Sequence, residues 1–247
     1  MFKKIKADLH IHTCLSPCGD IEMTPKMIIE KARSIGLNVI GICDHNSSEN
    51  SAAVKKAGEE NNLKVLSGME VTSQEEVHIL ALFDDETKLS ELQKIVYENL
   101  NGVNDEELFG YQMIVNMQDE IVDLNNKLLI GATGLTVDRI VELIHSLNGL
   151  AIASHVDRER FSLIGQLGFV PVGLELDGLE LSPAYMSEKK EFDFPMSSGL
   201  PLVTFSDAHF INEIGKTSTT FLIKEITVDE IKKALENKDG RSVLAYS

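Results

Sequence analysis

The sequence predicts an α/β chain whose strands lie parallel in a sheet or barrel. Three observations lead there: short β-rich runs recur from end to end, amphipathic capped segments separate them, and 247 residues suit one α/β barrel. The first strand, residues 4–10, is followed by "TPKMIIEKARSIG", a helix capped at Thr24 with Pro25 at its first position and Gly36 as its stop. Its Met27, Ile28, Ala32 and Ile35 fall at helical spacing. Strands are expected at 38–43, 64–69 and 77–83. The rhythm then breaks at about 88–135, where "KLSELQKIVYENLN" reads as a charged helix and "YQMIVNMQDEIVDLNNKLL" as a hairpin or small helical lid. We read this stretch as an insertion in a single domain spanning 1–247, because the pattern resumes with "TVDRIVELIHSLNG", capped by Thr136 or Asp138 and stopped by Gly149. Strands at 150–154, within 173–182, at 202–205 and at 219–223 follow, and "TVDEIKKALENKDG" closes the chain as a helix.

Composition narrows the function. Hydrophobic residues make up 43% of the chain, enough for a core, and the formal charge is −16 with only five arginines. A protein that neutralises many phosphates needs a basic face, so extended double-stranded nucleic acid is an unsuitable partner. A small anionic substrate stays compatible if bound cations reverse the local sign. Three cysteines make no disulfide framework, and neither an apolar leader nor a membrane-length apolar run is seen. The expectation is a reduced, cytoplasmic protein without a membrane partner.

The histidines carry the sharper signal. "ADLHIHT" places Asp8, His10 and His12 at alternate positions, which in a regular strand share one face. Asp44 and His45 end the second strand, Glu70 the third, and His155 follows the run at 150–154. Asp207 and His209 follow a late strand, whereas His78 lies near a strand start. In a parallel barrel the C-terminal strand ends converge on one rim, so residues scattered over the chain would meet there. Imidazoles and carboxylates packed together need cations between them, and zinc, iron and manganese all suit such donors. His145 lies on a helix with Ile140, Val141 and Ile144 and reads as structural, as does Glu180 in "GLELDGLELSP".

Taken in order, His10-x-His12, Asp44-His45, Gly-x-Glu at Glu70, His78, His155 and Ser-Asp-x-His at Asp207 and His209 resemble the polymerase and histidinol phosphatase (PHP) family. The likeness runs from Ala7 to Phe210 and is greatest to stand-alone members similar to nucleoside 3',5'-bisphosphate phosphatases. It implies a distorted (β/α)7 barrel holding two or three divalent ions. By that resemblance His10, His12, Glu70 and Asp207 hold the first ion; Glu70, His78 and His155 the second; and Asp20, His45 and His209 the third. Asp20 sits in "CLSPCGD", a departure from the plainer Ser-Asp-Gly of relatives, and Cys18 is a competing donor beside it. Asp8 and Asp44 are expected behind the ligands, orienting His12 and its neighbours.

Such a centre implies a metal-dependent phosphoesterase in which a metal-bridging hydroxide attacks a small phosphorylated substrate, a nucleotide or nucleoside bisphosphate before histidinol phosphate. Asp207, His209 and Arg158 are the expected catalytic residues. Arg158 and Arg160, the one close arginine pair, are the expected substrate contacts, with Lys216 behind them. Rival readings are an exonuclease trimming short single strands, an amidohydrolase-type deaminase or lactonase, and a non-catalytic metal-binding module. The deaminase reading predicts neither Glu70 nor the Asp207-x-His209 spacing. The sequence leaves the oligomeric state open.

Overall fold

The computed structural model describes residues 1–188 and 199–246. In chain order the first half comprises β1 (Lys3–Ile11), α1 (Pro25–Ser34), β2 (Val39–Ile42), α2 (Ser51–Glu60), β3 (Lys64–Thr72), β4 (His78–Phe83), α3 (Glu86–Asn99), α4 (Glu106–Phe109), β5 (Met113–Val115) and β6 (Ile121–Leu124). The second half comprises α5 (Val137–Ser146), β7 (Leu150–Ala153), α6 (Leu163–Leu167), β8 (Gly178–Leu181), α7 (Pro183–Glu188), β9 (Leu202–Thr204), β10 (Thr219–Ile223), α8 (Val228–Leu235) and β11 (Ser242–Tyr246).

Among the described residues, nine strands form one sheet in the order β11-β10-β1-β2-β3-β4-β7-β8-β9. β1, β2 and β3 are mutually parallel, as are β7, β8 and β9, while β4 runs antiparallel to both neighbours. The sheet curls until the segment after β9 meets the end of β1, where the Ala208 N–H donates to His10 O at 3.3 Å and the His12 N–H to Ala208 O at 3.0 Å. Seven strands thus wall a nearly closed, distorted barrel. The antiparallel pair β10 and β11, connected through α8 and joined to Lys3–Ala7 of β1, extends the sheet to nine. Among the described residues, no helix is long and apolar enough to cross a membrane.

The interior is sorted by height. Ile5, Ala7, Leu9, Leu66, Leu80, Leu82, Leu150, Ile152, Val203 and Phe205 form an apolar plug, joined by Val228, Ile231, Ala234 and Leu235 of α8. Above it, at the rim, the inward positions become His10, Glu70, His78 and Glu180, all buried. Outside, α1 and α2 cover β1–β3 through Ile28, Ile29, Val54 and Ala57. α3 and α5 cover the opposite wall through Leu92, Val96, Ile140 and Ile144.

One feature of β1 departs from simple alternation. Its register against β2 runs Asp8↔Ile40 and then Ile11↔Ile42, so Leu9 and His10 together oppose Gly41. This is a β-bulge, which re-aims side chains. Leu9 and His10 both point inward, whereas Asp8 and Ile11 lie outside. The expectation that Asp8 shares a face with His10 and His12 therefore fails. A Cβ at Gly41 would lie 2.4 Å from Leu9 O, so the bulge requires glycine at that position.

The helix termini follow the sequence closely. Thr136, and not Asp138, caps α5 by accepting from Arg139 N at 3.3 Å, and Thr227 caps α8 by accepting from Glu230 N at 3.2 Å. Thr24 holds the N-cap position of α1 without a side-chain capping bond, leaving Pro25 as the start signal. Within the inserted stretch the hairpin is realised as β5–β6. Asn50 ties it to the barrel by donating to Met113 O at 3.0 Å and accepting from Val115 N at 2.9 Å. Asn46 donates to Leu129 O and Gly131 O, both at 2.8 Å, and so holds the returning strand of chain at the rim.

Candidate metal centre

The rim collects these predicted residues from six segments. His10 is the penultimate residue of β1 and His12 follows the strand; His45 follows β2; Glu70 lies in β3; His155 follows β7; Asp207 and His209 follow β9. His78 begins β4, and because β4 is antiparallel its start reaches the rim where the parallel strands end. His155 and Asp207 adopt positive φ, 30° and 48°, so the chain turns sharply as each strand gives out. Strain of this kind is concentrated at functional sites.

Glu70 is the hub. Its Oε1 lies 3.1 Å from His78 Nδ1 and 3.4 Å from the Nε2 atoms of His10 and His155. Its Oε2 lies 3.0 Å from His45 Nδ1 and 3.6 Å from His12 Nε2. Asp207 Oδ1 is 3.2 Å from Nε2 of both His10 and His12. Yet both Glu70 oxygens, His45 Nδ1 and His78 Nδ1 are buried without a hydrogen bond of adequate geometry. Leaving a buried carboxylate and several imidazole nitrogens unpaired costs about 1–3 kcal/mol per group. Cations among them remove that cost, so the donor set fits metal ions. Among the described residues, three groups have donor atoms within 4.8 Å of one another: His10, His12 and Glu70; His45, Glu70 and His78; and His12, His45 and His209.

The titration behaviour divides the acids from the imidazoles. Burial lowers His10 and His45, but Glu180 and Asp207 raise the first and Cys18 and Glu70 the second well above the usual histidine range. These two rings must therefore release a proton when an ion binds. Burial pushes the Glu70 carboxyl up, but His78 and His10 outweigh it and hold the group well below the usual carboxylate range. Asp207 is likewise pushed up by burial and carried well below its usual value by His10 and His12. Burial lowers His78 to about 4, keeping its ring neutral at physiological pH.

Behind the ligands, orienting contacts are in place. Glu180 accepts from His10 Nδ1 at 2.9–3.0 Å and from the His155 N–H at 3.1 Å, which aims His10 Nε2 into the centre. Reading Glu180 as merely structural was therefore mistaken; its place on an inward β8 position, level with Glu70, was the available signal. Asp44 acts on His12 through Ser16: His12 Nδ1 lies 2.9 Å from Ser16 Oγ, which donates to Asp44 Oδ1 at 2.6 Å. Asp8 sits outside the barrel wall and accepts from the backbone N–H groups of Ser206 and Gly215, each at 2.9 Å, thereby anchoring the segment that carries Asp207. Asp8 does not touch His12.

A cavity of about 360 Å³ opens over the centre, and Arg158, Arg160, Phe161 and Ile130 line its mouth. Arg158 Nη2 pairs with Asp207 Oδ2 at 2.7 Å, and the Phe161 ring stacks on His78 at 5.0 Å between centroids. Lys216 lines an adjoining cavity and pairs with Glu213 at 3.1 Å. His145 is remote, held by Asp177 at 2.9 Å, as its helix position implies. Neither Asp20 nor Cys18 belongs to the three donor groups found among the described residues, and Asp20 Oδ1 accepts from Glu22 N at 2.8 Å. Cys18 Sγ lies instead 3.2 Å from His45 Nε2.

A model of the PHP domain matches residues 8–162, well over half of the chain. The chain belongs to the PHP domain family. With its buried Glu/His cluster it is a metal-dependent phosphoesterase of that family. It is 27% identical over 190 residues to an uncharacterized protein of Methanocaldococcus jannaschii, covering 73% of this chain and 83% of that one. Over 85 residues it is 29% identical to a 5'-3' exoribonuclease of Haemophilus influenzae, covering 33% of this chain and 30% of the relative. Among solved structures, a lesion-specific endonuclease of Pyrococcus furiosus matches with a TM-score of 0.69 at 21% identity, over 99% of this chain and 58% of the endonuclease. A proposed metal-dependent phosphoesterase of Bifidobacterium adolescentis matches with a TM-score of 0.55 at 20% identity, covering 82% and 87%. These structural likenesses are likenesses of fold.

Proposed function

We propose that this PHP protein hydrolyses a phosphate ester of a small nucleotide, with a nucleoside bisphosphate as the leading candidate. The observation that carries the reading is Glu70, a buried carboxylate with no hydrogen-bond donor, ringed by five imidazoles at 3.0–3.6 Å on the floor of an arginine-lined cavity. Divalent ions held by Glu70, Asp207 and the surrounding histidines would supply Lewis acidity and lower the pKa of a water. The native ions are proposed to be zinc, manganese or iron, two or three in number.

The chain's own residues do the rest. Arg158 has five N–H donors in a planar fork and gives one to Asp207, leaving others for phosphoryl oxygens at the cavity mouth. Arg160 lines the same mouth and would take a second phosphate. Phe161 offers an aromatic face to a planar base, and Ile130 keeps water from that side. The volume suits one nucleotide, and the charge of −16 disfavours a duplex. The test is phosphate release from 3',5'-adenosine bisphosphate by protein loaded with Mn, Zn, Fe or Co. Release that is abolished in His10→Ala and Asp207→Ala is expected; no release with any of these ions overturns the reading.

A second reading has support in the exoribonuclease and endonuclease among the similar proteins: cleavage at the end of a short single strand. The chain spans 58% of that endonuclease and 30% of that exoribonuclease. Rates on the bisphosphate and on a labelled single-stranded 5-mer decide between the two, with the bisphosphate expected to turn over faster.

A further inference from the structure

We propose that Cys18 is a thiolate ligand of this chain's metal centre, occupying with His45 and His209 the position that the family resemblance gives to Asp20. The inference rests on the centre being metal-binding and goes beyond it in naming a sulfur donor. Three observations converge. The first is the loop between β1 and α1. Ser16 N bonds Thr13 O at 3.1 Å and Gly19 N bonds Ser16 O at 2.8 Å, a turn so tight that a Cβ at Gly19 would lie 2.5 Å from Thr13 O. This turn carries Cys18 Sγ to 3.2 Å from His45 Nε2.

The second is the commitment of Asp20. Its backbone N–H donates to His209 O at 2.8 Å, and its Oδ1 accepts from the Glu22 N–H at 2.8 Å. The residue expected as third ligand thus braces the loop.

The third is independent of the cysteine and points to a cation. His209 Nδ1 donates to Asp207 O at 2.8 Å, a carbonyl that can only accept, so in the neutral ring the lone pair lies on Nε2. His12 is fixed in the same sense by its Nδ1 contact with Ser16 Oγ, whose proton goes to Asp44. Donor atoms of His12, His45 and His209 lie within 4.8 Å of one another, an arrangement of lone pairs that a positive ion completes.

On binding, the thiol proton leaves to solvent and a sulfur lone pair enters the coordination sphere; nothing is oxidised or reduced. Thiolate favours zinc or iron at this position over manganese.

The test is cobalt(II) added to metal-stripped full-length protein, with bound cobalt measured by elemental analysis and the near-ultraviolet spectrum recorded. A thiolate-to-cobalt charge-transfer band is expected in the native chain, retained in Asp20→Asn and in Cys14→Ser, and lost in Cys18→Ser and Cys18→Asp. Cys18→Ser should also weaken one zinc equivalent by at least about tenfold and leave the others unchanged. Bound cobalt without the band, or a band surviving in both Cys18 variants, overturns the proposal and leaves the phosphoesterase reading intact. Failure to bind any cobalt overturns the metal centre together with it.

Discussion

Phe161 is the side chain at which the proposed substrate recognition separates from chemistry. It is 41% exposed at the cavity mouth and stacks on His78 without contributing a ligand atom. Stacking of a base on an aromatic ring contributes about 1–3 kcal/mol, so Phe161→Ala should raise KM for a nucleotide about tenfold and leave kcat nearly unchanged. Steady-state kinetics on adenosine bisphosphate and on a substrate without a ring check this, since only the first should suffer; a fall in kcat at constant KM would assign Phe161 to holding His78. Glu180 is the opposite case, a residue that touches a ligand and never the substrate. Glu180→Gln replaces the acceptor on His10 Nδ1 by a weaker one, and metal affinity should fall about 10–100-fold with the fold retained, as metal titration and circular dichroism would show. At this scale the sequence is legible where a residue type has few uses: seven histidines, six of them in the centre, announce themselves. Glu180 does not, because glutamate has many bland roles and only the register of β8 puts it beside an imidazole; Cys18 was legible only as a competitor of Asp20, and it is the turn at Gly19 that sets it beside His45.

Two elements show what the periodicities could and could not carry. The parallel strands and their helices followed from alternation and caps, but the reversal of β4 left no mark in composition, and it is what brings His78 to the rim. The bulge of β1 was equally hidden, because a single extra residue changes which side chains face inward without changing their hydropathy. Its glycine makes it testable. Gly41→Ala forces Cβ against Leu9 backbone atoms at 2.4–2.8 Å, and an overpacked site of this kind costs about 1–3 kcal/mol. Since His10 is the bulged neighbour, the variant should melt lower and bind metal more weakly, both measurable by thermal melts with and without zinc. At the other end of the barrel, Glu230 on α8 accepts from Arg241 at 2.6 and 3.2 Å and from the Lys224 N–H at 2.8 Å, so it ties β10 to β11. These contacts, the Arg241 bonds foremost, lower its carboxyl from 4.5 to about 2. Its stabilisation is therefore complete above about pH 4.5 and is lost as pH falls through about 2. Melts recorded across that window should lose this pH dependence in Glu230→Gln.

For the whole molecule, the acidic balance and the donor-rich rim set a single electrostatic condition. A chain of formal charge −16 gathers Glu70, Asp207 and Glu180 into one buried region whose imidazoles are largely aimed at each other and at carboxylates. Without cations that region holds unpaired buried groups, and with them it presents positive charge to an anion. Folding and metal binding should therefore be linked. An ion that binds the folded chain alone stabilises it by about 2.7 kcal/mol at 100 times its dissociation constant. For a domain of this size each kcal/mol moves Tm by about 2–4 °C, so one ion should raise it by about 5–10 °C. Melts in zinc or manganese compared with melts in excess chelator measure the difference. The double variant His10→Ala and Asp207→Ala should show a much smaller one, whereas Arg160→Ala, which removes a proposed substrate contact and no ligand, should keep it in full. Equal melting with and without metal in the native chain would mean that the imidazoles satisfy Glu70 by themselves, and the rim would then be a proton-sharing network with no need of a cation.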